Sequence, residues 1–239
     1  FVDTTPHTGG DLKKRAAWSV WASKHLDELR TAKSAALFSR KEGWGNVVEH
    51  LLVVNAASVF LAKKIISANH PVNIQLVDTA SVLHDIAKRR DKEMGVKRGS
   101  EHQFDLTAEI LRKAGYSDTV IEAATYSGRV PEIDLDDTEQ DKRISSIPIE
   151  HLIIAYVDSR VRNTNIVSLE KARDENKQKI PLDANFYDRW YRYYQKVEKQ
   201  LFSLAEDAFT PSGFSEDNVF KMVQEQSHQT QNLESLSKK

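Results

Sequence analysis

Two side chains in this 239-residue chain stand where an apolar segment has little reason to carry them, His84 and Asp85 at the end of Asp78-Thr-Ala-Ser-Val-Leu-His84-Asp85-Ile-Ala-Lys88. Burying an imidazole beside a carboxylate costs free energy unless the charges are paired or bind a metal. A metal accounts for both at once, because neutral imidazole and carboxylate are the usual N and O ligands of zinc, iron and manganese. Two more residues of the same kind sit in apolar company. His50 lies within Val47-Val-Glu-His50-Leu-Leu-Val-Val, and Asp158 ends Ile153-Ile-Ala-Tyr-Val-Asp158. His50, His84, Asp85 and Asp158 are therefore the candidate metal ligands, held by three apolar helices.

Those helices follow from periodicity and punctuation. A helix is expected from about Asp11 to Glu42, stopped by Gly43 and Gly45. A second runs from about Asn46 to Asn69 with a broad apolar stripe from Val47 to Ile65. Asn73 opens the His-Asp helix, which ends in Lys88-Arg-Arg. Residues 91–100 and 127–147 read as loops, although Ser117–Tyr126 reads as a short helix and Pro148 fits the first turn of the Asp158 helix. A polar helix at 168–178 and a long aromatic helix from Asp183 to about Phe209 follow. No strand alternation stands out, and the fold class is all-α, a bundle whose sites are built from facing side chains. Residues 11–210 are expected to form one domain, with a core at about 45–180. Residues 211–239 are expected to hold a short helix and a disordered polar tail. Residues 1–10 are set aside.

Composition narrows the function. The formal net charge is −1, with 34 basic and 35 acidic residues, so no global field recruits a nucleic-acid polymer. The absence of cysteine rules out disulfides, thiol catalysis and thiolate metal sites, and agrees with a reducing compartment. No membrane-spanning segment and no secretion signal are expected. The expected location is the cytoplasm.

The four ligands, in order, reproduce the H…HD…D signature of the HD-domain metal-dependent phosphohydrolases. His84-Asp-Ile-Ala-Lys88 resembles the HDIGK variant with Ala87 in place of Gly. Further on, Ile154-Ala-Tyr-Val-Asp158-Ser-Arg-Val and Ile166-Val-Ser-Leu-Glu resemble bacterial HD hydrolases in which the last ligand is followed by Arg-Val and a Val-Ser-Leu-Glu helix. A weaker likeness lies at Val197-Glu-Lys-Gln-Leu-Phe202. The resemblance implies an HD-type helical bundle with N- and C-terminal helical extensions. It also implies one divalent ion (manganese, iron, cobalt, nickel, magnesium or zinc) and hydrolysis of a small-molecule phosphate ester, a nucleotide above all. An activated water would attack phosphorus.

The same resemblance distributes further roles. Lys88, one turn after His84, is the first candidate phosphate binder. Arg160, Arg129, Lys97 and Arg98 are further candidate substrate contacts. His102 and Glu49 are candidates to move protons, beside Asp85 as a catalytic ligand. Each also has an ordinary reading: a snorkelling lysine, a capping histidine, a solvated charge. Dinuclear relatives carry two more histidines before the last Asp. His102 fills one place, but Ala123-Ala-Thr-Tyr126-Ser-Gly-Arg has none for the other. A single metal is therefore expected, which weighs against a diiron oxygenase. The Glu-Asp pair of alarmone hydrolases and the GYP motif of cyclic-di-GMP phosphodiesterases are absent. A non-catalytic HD module that binds a nucleotide or a protein is the alternative.

Overall fold

A computed structural model describes residues 12–35, 45–95, 104–128, 130–179, 184–205, 210 and 213–237. The elements in order are α1 (Leu12–Ser23), α2 (Leu26–Ser34), α3 (Gly45–Ser67), α4 (Ile74–Leu83), α5 (Lys88–Glu93), α6 (Asp105–Lys113), α7 (Asp118–Tyr126), a 3₁₀ turn (Pro131–Asp134), α8 (Asp137–Ser146), α9 (Ile149–Arg160), β1 (Val161–Arg162), β2 (Asn165–Ile166), α10 (Leu169–Lys179), α11 (Ala184–Leu204) and α12 (Glu216–Ser237). The architecture is an all-α bundle.

The centre of the bundle is α3, packed on α4 and α9. Leu51, Leu52, Val54, Ala57, Leu61, Ala62 and Ile65 are buried around its whole circumference. A helix apolar on all sides is stable only inside a core, and each fully buried Leu or Ile stabilises the fold by roughly 1.5–3 kcal/mol. Contrary to the sequence expectation, Val47–Ser67 is by length and composition long enough for a bilayer, but its apolar stretch is 78% buried inside the bundle. The Asn55 amide accepts a hydrogen bond from Trp21 Nε1 at 2.7 Å, and its Nδ2 lies 2.7–3.0 Å from the Asp78 carbonyl, Asp78 Oδ1 and Ser81 Oγ. This one buried amide ties α1, α3 and α4 together.

Asn73 caps α4 by accepting from the Leu76 amide, and Ser117 caps α7 through Val120, both as turn chemistry predicts. Pro148 sits one position before α9, at its N-cap.

Several elements depart from expectation. The first helix breaks at Lys24 and His25 into α1 and α2. The His-Asp helix stops at Leu83. Residues 84–87 are turns closed by bonds from the Ile86 and Lys88 amides to the carbonyls three residues earlier, and α5 starts at Lys88. The segment read as a loop over 127–147 contains the 3₁₀ turn and α8, the latter capped by Asp136. A two-residue antiparallel ribbon follows α9, pairing Val161 with Ile166 and Arg162 with Asn165. The expected disordered tail is helical through Ser237. In α12, Val219, Met222 and Val223 are buried, and Ser227 Oγ, which donates to the Val223 carbonyl at 2.8 Å, lies 3.4 Å from the Ala17 carbonyl.

Candidate metal centre

Three elements deliver the four candidate ligands to one point. His50 projects from the first turns of α3, Asp158 from the last turn of α9, and His84 and Asp85 from the turn after α4. His84 and Asp85 stand in the turn after α4, with the His84 backbone still at helical angles, φ −60° and ψ −30°. One nitrogen or oxygen from each of the four lies within 4.8 Å of all the others. His50 Nε2 is 3.2 Å from Asp158 Oδ1 and 3.8 Å from Asp85 Oδ2; His84 Nε2 is 3.3 Å and 3.7 Å from the same two oxygens. Ligand atoms about one ion at metal–ligand lengths of about 2.0–2.2 Å stand about 3.0–3.5 Å apart, close to this spacing.

The second nitrogen of each ring is fixed. His84 Nδ1 lies 2.7 Å from the Ser81 carbonyl, and His50 Nδ1 lies 3.2 Å from the Asn163 carbonyl. A carbonyl only accepts, so both Nδ1 atoms donate. In the neutral rings, that leaves an Nε2 lone pair aimed at carboxylate oxygens. Lone pairs facing oxygen lone pairs require a proton or a cation between them. His84 Nε2 is fully enclosed and makes no hydrogen bond among the described residues, the condition expected of an atom meant for a metal. This donor set fits a metal ion, with the backbone carbonyls orienting the rings as outer partners do.

Charge follows the same geometry. Burial pushes the His50 pKa down, more than the Asp158 hydrogen bond raises it. Burial works in the same sense on His84, but Asp85 and Asp158 together outweigh it and hold its pKa above the ordinary value. Burial would raise Asp158, yet His84 and His50 hold it well below the usual carboxylate range. Burial likewise opposes the ionised Asp85, and Lys88 and His84 overcome it.

The cluster is deep on the histidine side, where His50 and His84 are 8% and 0% exposed. It opens over the Asp158 carboxylate, 28% exposed, and the Lys88 side chain, 47% exposed. Lys88 Nζ is hydrogen-bonded to Asp85 Oδ2. Glu49 is half-buried, with its Oε1 enclosed and unbonded among the described residues.

Arg160 requires a correction. It is two residues after Asp158, hence ~200° around α9, and it points into the bundle away from the ligands. Its Nε donates to the Val167 carbonyl at 2.7 Å, its Nη1 donates to Tyr156 Oη at 2.7 Å, and Phe214 lies 4.9 Å from its guanidinium carbon. A guanidinium so enclosed is not offered to a substrate. His102, Lys97, Arg98 and Arg129 lie outside the described residues. His151 packs its ring 5.4 Å from Tyr126, as a packing histidine should.

Two contributors escaped the sequence reading, Ser81 and Asn163, because both act through backbone carbonyls. Asn163 alone carried a signal, as Asn163-Thr-Asn165 between Val161 and Ile166 has hairpin-turn composition.

A match of 128 residues at 30% identity links this chain to the uncharacterized protein MJ0778 of Methanocaldococcus jannaschii. It spans 52% of this chain and 72% of that one. No family model matches the chain. No solved structure matches it.

Proposed function

Since the chain belongs to the same family as MJ0778, whose name assigns no activity, its function must come from the site, and we propose an HD-domain metal-dependent phosphohydrolase. Its substrate would be a phosphate ester of a small molecule, a nucleotide by preference. The observation that carries this reading is the pair of imidazoles locked by backbone carbonyls, with both Nε2 atoms turned on two carboxylates beneath an exposed lysine.

His50, His84, Asp85 and Asp158 would hold one divalent ion, with manganese and zinc among the possible identities. Such an ion supplies positive charge that polarises a phosphoryl oxygen and acidifies water. Bound beside Lys88, such an ion would outweigh the charges of Asp85 and Asp158 and leave the site, with both imidazoles neutral, a net charge of about +1. That surplus, concentrated at the open side, attracts a phosphate. Lys88 exchanges its bond to Asp85 for the phosphate oxygens, a charge-assisted contact that strengthens as charge builds on the transferred group. The enclosed carboxyl of Glu49 accepts or returns a proton, with His102 as the second candidate for that task.

The exposure of Lys88 beside the cluster supports one other reading, a non-catalytic HD module that binds a nucleotide or a partner protein. The two separate in one assay: phosphate release from nucleoside mono-, di- and triphosphates and cyclic dinucleotides, with and without Mn²⁺. The enzyme reading expects metal-dependent release that Asp85→Ala abolishes. Absence of release with every substrate, or equal release by the variant, contradicts it.

A further inference from the structure

The residue that leaves the substrate side of the site acts on its metal side. His50 is oriented by the Asn163 carbonyl, and Asn163 is exposed at the tip of the ribbon, with φ +55°. A two-residue ribbon has too few ladder bonds to hold its own tip in place. Its base, however, is clamped twice by Arg160. The Val167 amide donates to the Arg160 carbonyl at 2.9 Å, and the Arg160 side chain returns a bond from Nε to the Val167 carbonyl at 2.7 Å. The guanidinium is itself immobilised. Tyr156 Oη accepts from Nη1 and donates to Glu198 on α11 at 2.5 Å, and Glu198 lies 3.8 Å from Nη1. Tyr156 and Phe214 pack against its faces, 5.6 Å and 4.9 Å from the guanidinium carbon.

We infer that Arg160 is a positioning residue for the metal centre: with Tyr156 and Glu198 it anchors the 161–166 ribbon, so that the Asn163 carbonyl fixes the tautomer of His50 and presents its Nε2 to the ion. This inference rests on the reading of His50 as a ligand. It makes α11, which supplies none of the four ligands, part of the apparatus that sets one of them. A left-handed residue at the tip is required to turn the carbonyl inward; glycine meets that requirement and a β-branched residue does not.

The test uses the full chain and the variants Arg160→Met, Arg160→Lys, Asn163→Gly and Asn163→Val, each checked for helix content. Histidine ring ¹⁵N shifts are read in the metal-free protein, and Mn²⁺ affinity is read by titration of free Mn²⁺. Arg160→Met and Asn163→Val are expected to release the His50 Nδ1–H tautomer into exchange and to weaken Mn²⁺ about 10–100-fold, the usual effect of losing an outer partner. Asn163→Gly should stay close to the parent, and Arg160→Lys should fall between. A folded Arg160→Met with His50 still locked and Mn²⁺ bound as tightly as in the parent overturns the inference. Should Arg160→Met fail to fold, Asn163→Val, at an exposed turn, decides alone on the same readings. A parent protein that binds no Mn²⁺ fails the metal reading instead, and the His50 tautomer in the metal-free variants still decides the anchor.

Discussion

His50 and Asp158, 108 residues apart in sequence, bring an imidazole Nε2 and a carboxylate oxygen to 3.2 Å on two helices packed side by side at the core. The contact is made from the centre of the fold outward. The apolar surfaces of α3 and α9 bury against each other, and His50 and Asp158 are left facing one another.

The pH dependence of the metal-free protein follows from the two histidines. His84 has a raised pKa, so its contribution is full below the unfolded value of about 6.5 and is lost as pH rises through the folded value. His50 has a lowered pKa, so its contribution is present above about 6.5 and is lost as pH falls. The metal-free Tm should therefore peak near pH ~6.5 and decline on the alkaline side. Because a metal needs the neutral imidazole, Mn²⁺ should raise Tm most on that alkaline side. A metal-free Tm that climbs steadily from pH ~6.5 to ~8.5 contradicts the arrangement.

Loss of a ligand carboxylate separates site from scaffold. Asp85 lies in the turn after α4 and packs in no helix interior. Asp85→Ala should keep the helical circular dichroism of the parent. Its loss of Mn²⁺ affinity should exceed the ~10–100-fold typical of an outer partner. Retention of parental affinity would remove Asp85 from the ligand set.

Lys88 should speak through kcat/KM. Its side chain is half-exposed at the open side and bonded to Asp85. Charge-assisted bonds contribute roughly 1.5–3 kcal/mol, so Lys88→Met should lower kcat/KM for a phosphate ester by about 10–100-fold. Mn²⁺ affinity should hold or improve, since Asp85 loses a competitor. Unchanged kinetics would leave Lys88 a surface residue.

Asn55 should matter to stability. It is fully buried and joins Trp21 on α1 to Asp78 and Ser81 on α4. Asn55→Leu leaves the Trp21 Nε1 proton and the Ser81 hydroxyl short of a partner, at a cost of about 1–3 kcal/mol. Urea midpoints should fall accordingly, with an unchanged m-value. A midpoint equal to the parent's would mean that the amide ties nothing together.

What could be read from the residues alone divides along physical lines. The helical class and the clustering of His50, His84, Asp85 and Asp158 were legible, because His50, His84 and Asp158 interrupt long apolar stretches and a buried charge demands a reason. The ribbon was not, since two residues per strand carry no alternation to detect. Nor was α8, whose polar sequence Asp137-Thr-Glu-Gln-Asp-Lys-Arg gives its buried face only Gln140 and Ile144. Arg160 misled by its closeness in sequence to Asp158, when two residues along a helix reverse the face. Ser81 and Asn163 were hidden because a carbonyl belongs to every residue, and only the fold selects which one meets a histidine.

The central claim is that His50, His84, Asp85 and Asp158 hold a metal ion. It is tested most directly by the metal content of the purified chain after dialysis with Mn²⁺ or Zn²⁺, set beside that of Asp85→Ala. The account predicts one ion per chain in the parent and none in the variant. A parent chain that retains no ion from either solution, or a variant that retains as much as the parent, would contradict it.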